Sequence, residues 1–143
     1  MRPALALLLL GLLVTGCADD RERYCGAVEE HQAELSEQVA GGGPTDLIGA
    51  LDVLQSLADE APEDIQDEWS ILLERVTALR DALDEAGVDA ATYDADQPPA
   101  DLGTDDLDRI EGAARDLGSE QTRRALADLE QQARDVCGTP LVV

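Results

Sequence analysis

Lysine and phenylalanine are absent from the 143 residues, and the aromatics come to Tyr24, Trp69 and Tyr93 alone. Without lysine, ten arginines face 32 Asp and Glu, for a formal net charge of -22. So acidic a chain repels phosphate backbones, and no basic stripe interrupts it, which argues against nucleic acid as a partner. With so few aromatics, platforms for stacking bases or sugars are scarce. Histidine occurs once, as His31. That excludes a histidine-built metal centre and a di-iron bundle with two Glu-x-x-His motifs, and leaves no second imidazole for a relay. No Gly-x-Ser-x-Gly elbow, phosphate-binding glycine loop, dinucleotide fingerprint or Cys-x-x-Cys-His haem motif is present. Paired carboxylates for glycoside hydrolysis would need a cleft with sugar-stacking aromatics, and among 32 acids any two look paired somewhere. The chain reads as a non-enzyme without a cofactor.

What is present is apolar material for one modest core: 44% of the residues are hydrophobic, mostly Leu, Ala, Val and Ile, which predicts a single domain. The first seventeen residues stand apart from it. Arg2 supplies a short positive region, Ala4 to Val14 is an almost unbroken apolar run, and Val14-Thr15-Gly16-Cys17 closes it with small residues and a cysteine. The run falls well short of the roughly 20 residues that cross a bilayer as a helix, so it reads as a secretory signal.

This ending resembles the lipobox of bacterial lipoproteins. The resemblance covers residues 1 to 17 and implies cleavage between Gly16 and Cys17, with a thioether-linked diacylglycerol on Cys17 and an amino group open to a further acyl chain such as palmitate. Each buried methylene adds roughly 0.8 kcal/mol to membrane affinity, so two or three chains hold a protein without a transmembrane helix. Residues 17–19 would then form the tether, on the extracytoplasmic face of the cell membrane. Cleavage removes Arg2, leaving 32 acids against nine arginines, a net charge of -23.

A lipidated Cys17 also accounts for the odd number of cysteines. The remaining pair, Cys25 and Cys137, is free to form one disulfide in an oxidising compartment. The alternative, a redox-active pair, lacks the Cys-x-x-Cys spacing that tunes thiol reactivity. If they bond, the start of the first helix lies beside the end of the last.

Periodicity predicts an all-α bundle of four to five helices over residues 20–138, and no segment reads as a strand. The first helix, about 20 to 40, carries Tyr24, Val28, His31, Leu35 and Val39 on one face and stops at Gly41 to Gly43 and Pro44. His31 reads as a packing or hydrogen-bonding residue. The second starts with Thr45 as N-cap and carries Leu47, Ile48, Leu51, Leu54, Leu57 and Ala61. The third, 62 to 86, is the clearest. Ile65, Trp69, Leu72, Val76, Leu79, Leu83 and Ala86 recur at alternating spacings of four and three, Pro62 suits its first turn and Gly87 its end. A fourth is capped by Thr104 and carries Leu107, Ile110, Ala114 and Leu117. Gly118-Ser119 breaks and recaps the chain, and the last helix carries Thr122, Leu126, Leu129, Ala133 and Val136 before Gly138, Pro140 and a short tail, 139–143.

Residues 88–103 form the one long connection, either functional or simply flexible. Asp94, Asp96, Asp101 and Asp105 in and just after it are candidate calcium ligands, being hard oxygens close in sequence. The EF-hand pattern fails, because Pro98 stands where a third ligand belongs and Pro99 where the turn glycine belongs, with Asp105 in place of the final Glu. A solvated acidic loop is the plainer reading. The exposed-face acids Glu29, Glu30, Glu34 and Glu37 likewise read first as a solubilising surface and second as a docking face for a basic partner.

With Tyr24-Cys25 early, Ala61-Pro62 at a helix start and Cys137 near the end, the remainder resembles in a general way the small helical exported lipoproteins of actinobacteria. That resemblance brings no catalytic residue with it. The expectation is a membrane-anchored, non-enzymatic lipoprotein of the cell envelope that binds or scaffolds an envelope protein. The alternative is a lipoprotein that binds a small ligand or calcium in the bundle interior or the acidic loop.

Overall fold

One helix organises the molecule, and it is the one with the strictest stripe. The computed structural model describes Gly16–Val143, with side chains from Asp19 onward. Its helices are α1 (Gly16–Gln38), α2 (Pro44–Gly49), α3 (Leu51–Asp59), α4 (Gln66–Glu85), α5 (Thr104–Leu117) and α6 (Glu120–Gln132). Among the described residues there is no strand. Helices α2, α3, α5 and α6 all pack on α4, while α1 packs on α2, α3 and the end of the last helical segment. Trp69, Leu72, Val76, Leu79 and Leu83 of α4 are all buried, with Trp69 among the largest side chains fully enclosed. Each such side chain is worth roughly 1.5–3 kcal/mol relative to exposure. The all-α bundle expected from periodicity is thus the fold.

The boundaries differ from expectation in ways with local causes. The described part of α1 begins at Gly16 and takes in residues 17–19, expected as a tether, whereas the expected signal segment through Thr15 and the side chain of Cys17 lie outside the described residues. The single second helix is two. Gly49 ends α2 and Ala50 turns with ψ 0° before α3 resumes. The carbonyl-to-amide ladder crosses that joint, with Ala50 N–H donating to Asp46 and Leu54 N–H to Ala50, so it is a kink and not a stop. A glycine inside a helix is its weakest point, and the kink falls beside it. Neither Thr45 nor Thr104 is an N-cap. Gly43 and Gly103 hold those positions, and Asp46 accepts from the Gly43 N–H at 2.9 Å. The third helix opens with a 3-10 turn, Glu63–Ile65, before α4 proper.

Other punctuation matches expectation. Gly87 takes φ +70°, and Val88 N–H donates to Leu83 while Gly87 N–H donates to Asp84, the paired closure that a left-handed residue permits. Ser119 caps α6 by accepting from the Thr122 N–H. The Thr122 hydroxyl, fully buried, donates to the Asp116 carbonyl at 3.0 Å and fixes the corner between α5 and α6. Helix α6 then widens into a π-helical segment, Ala133–Cys137.

Segment 88–103 is an ordered run of turns. Thr92, Gln97 and Leu102 each donate a backbone N–H three residues back, and Val88, Ala90, Tyr93 and Leu102 pack on the core. Cys25 and Cys137 are bonded, with Cα atoms 5.1 Å apart across 112 positions of sequence. The disulfide joins α1 to the end of the last helical segment. No described helix is long and apolar enough to cross a membrane.

Candidate functional site

The bundle is not filled everywhere. A cleft of about 410 Å³ opens where Leu35 of α1 and Val39 just past its end face Leu47 of α2 and Leu54 of α3, with Trp69 and Leu72 of α4 and Leu126 and Ala127 of α6 completing the apolar lining. Its polar members are Glu130 and Arg134, and Leu141 and Val142 lie across it. Clefts of a few hundred Å³, largely apolar with a few fixed polar groups, are where proteins hold ligands.

Segment 139–143 closes one side as a strap. Gly138, at φ +70°, reverses the chain directly after the disulfide. Pro140 then offers its carbonyl to Gln32 Nε2 at 2.6 Å, Leu141 donates its N–H to Glu130 Oε2 at 3.0 Å, and Val143 donates its N–H to Ser36 Oγ at 3.0 Å. The strap therefore runs along α1 in that helix's own direction. The other carboxylate oxygen of Glu130 accepts from Arg134 at 2.5 Å, so one side chain ties α6 to the strap and to the rim of the cleft.

On α1, Tyr24 is wholly buried, and its hydroxyl has no hydrogen-bond partner; nor has the Trp69 indole N–H. Burial pushes the Tyr24 phenol up to about 12; Trp69 opposes the shift and the Glu130 charge adds to it. The indole N–H is thus near enough to act on the phenol without meeting hydrogen-bond geometry. Tyr93 is raised as well, by burial first and then by Glu111 and Asp94, while Glu120 is lowered by its hydrogen bonds to Arg123 and Arg124.

The candidate calcium ligands are not brought together. Asp94 spends one oxygen on the Asp96 N–H at 2.9 Å and the other on Gln97, Asp105 lies in the first turn of α5, and Asp101 borders a separate hollow of about 260 Å³ with Asp89 and Asp106. Among the described residues, no group of three or more His, Cys, Asp or Glu is arranged to hold a metal ion. His31 is half-buried on α1 with Nδ1 3.8 Å from Glu34 Oε2. Glu29, Glu30, Glu34 and Glu37 are exposed.

Gln32, Ser36, Glu130 and Arg134 were not legible as site residues, since each acts through a partner distant in sequence or through the strap. The available signal was Leu141-Val142-Val143, three apolar residues in succession beyond a helix stop in an otherwise acidic chain. Protein-family models, curated proteins and solved structures give no match to the chain.

Proposed function

We propose that the protein is a lipoprotein held on the extracytoplasmic face of the cell membrane by acyl chains on Cys17, and that its helical domain binds an envelope protein without catalysing a reaction. The observation that carries this reading is the pairing of Cys25 with Cys137. It uses two of three cysteines and leaves the odd one, Cys17, where the lipobox resemblance wants a lipid. A disulfide also suits a compartment outside the cytoplasm. The cleft supports a binding role, because it offers apolar surface that the bundle does not fill.

Metabolic labelling with a palmitate analogue, followed by membrane fractionation, tests the anchor. The unaltered protein should carry label and sediment with membranes, and Cys17→Ala should lose both. An unlabelled, soluble wild-type protein would overturn the anchoring. Crosslinking on membranes tests the partner: a specific adduct should form with the anchored protein and weaken with Cys17→Ala. A second reading, a carrier of a small apolar ligand, is favoured by the cleft's mostly aliphatic lining. Native mass spectrometry of protein purified without detergent would show a bound mass in that case.

A further inference from the structure

A peptide already forms one wall of the cleft, and how it is held indicates what the cleft is built to take. The strap is a short non-helical peptide that bends at Thr139 and Leu141, and three side chains engage its backbone: Gln32 donates to a carbonyl, while Glu130 and Ser36 each accept from an N–H. A hydrocarbon chain offers none of these groups. The apolar side chains of the strap fit the cleft only in part. Leu141 is buried, yet Val142 is 39% and Val143 88% exposed, and these two are the exposed large hydrophobics among the described residues. About 410 Å³ of apolar-lined space remains beside them.

Charge narrows the choice of partner. The helix that holds the strap through Gln32 and Ser36 also exposes Glu29, Glu30, Glu34 and Glu37, and the whole chain carries -22. Basic residues flanking an apolar segment would be drawn to this face and steered into register.

We propose that the cleft is a docking surface for a non-helical, apolar segment of a partner protein flanked by basic residues, and that 139–143 is a resident stand-in which such a segment displaces. The proposal rests on the protein-binding reading above and names its surface and the chemistry of its partner. Because the strap is joined to the body at the disulfide and Gly138, it competes at an effective concentration of roughly millimolar. An incoming segment must outbind it, so loosening the strap should raise the affinity for a segment added in trans.

The probe is a labelled peptide of sequence Lys-Lys-Thr-Pro-Leu-Val-Val-Lys-Lys, with binding read by anisotropy and by the emission of Trp69, the single tryptophan, which lines the cleft. The exported protein should bind weakly. Its Leu141→Ser variant, which frees the strap without altering the opposite lining, should bind at least tenfold more tightly and shift the Trp69 emission. Adding Leu126→Gln to Leu141→Ser should weaken binding at least tenfold. Val39→Gln, beyond the end of α1, serves the same purpose should Leu126→Gln lose its helical circular dichroism. A peptide with Glu in place of Lys should bind at least tenfold more weakly at low salt, the gap closing near 0.5 M salt.

A folded Leu141→Ser protein that binds no peptide, or binds it without regard to the cleft variants, overturns the proposal. Uptake of a lysolipid in place of the peptide overturns it too, in favour of an apolar small ligand. Peptide failure alongside a membrane crosslink that persists would remove the cleft assignment and leave the anchored-binding reading standing. Peptide binding without any membrane crosslink would do the reverse.

Discussion

Tyr24 shows how one residue joins core packing to a pH response. Its ring is fully buried and its hydroxyl lacks a hydrogen-bond partner, so the molecule keeps a polar atom in its interior at a cost. Deleting an unpaired buried hydroxyl removes that cost, and Tyr24→Phe should leave urea stability at pH 7 unchanged or raised by up to about 1 kcal/mol. A loss of 1 kcal/mol or more would show instead that the indole N–H of Trp69 bonds it. The alkaline response follows from the raised phenol, about 12 in the folded chain against 10 in the unfolded. Above pH 10 the unfolded chain gives up the proton while the folded chain keeps it, so the unfolded state gains as pH rises. The contribution is present in full below pH 10 and is lost progressively up to about pH 12, at a slope near 1.4 kcal/mol per pH unit. Unfolding curves between pH 10 and 12 should show that slope in the unaltered protein and a flatter one in Tyr24→Phe.

Glycines give opposite expectations in different elements. Gly49 ends α2 on an exposed face, and an added methyl would meet nothing within 4 Å. Gly49→Ala should therefore stabilise by about 0.5–1 kcal/mol, read as a rise in thermal midpoint. Gly87 sits at φ +70° in the closure after α4, where any side chain is strained, and Gly87→Ala should cost about 1–2 kcal/mol by the same measurement. The same local physics explains what the sequence made legible. Helix α4 is legible because five buried residues share one strict stripe, and Gly87 and Ser119 are legible because their roles are local. The kink at Ala50 leaves no mark in the sequence, because the apolar pattern of α2 runs unbroken into α3 and periodicity alone gives one helix. Thr45 and Thr104 looked like caps because the glycines before them carry no side-chain signal. The cleft and strap were hidden for another reason: Gln32 meets Pro140 across 108 positions and Ser36 meets Val143 across 107, contacts that only packing creates.

At the scale of the whole molecule, the disulfide and the charge act on the same term, the freedom of the unfolded chain. A bond spanning 112 positions removes much of that chain's entropy, and losing a native disulfide typically costs about 2–5 kcal/mol. Against the total of about 5–15 kcal/mol usual for a domain, Cys25→Ser with Cys137→Ser should leave a folded but much weaker bundle, measured by urea unfolding. The net charge of -22 also favours expansion, because an unfolded chain spreads its like charges further apart than a folded one. The two effects are coupled. A cross-linked unfolded chain cannot expand freely, so it gains less relief from repulsion than an open one. Raising salt from about 0.05 to 0.5 M, which shortens the screening length to a few Å, should therefore stabilise both proteins but stabilise the Cys→Ser pair more. Equal salt increments in the two would mean that repulsion is already relieved within the disulfide-closed loop, leaving charge and cross-link as independent contributions to stability.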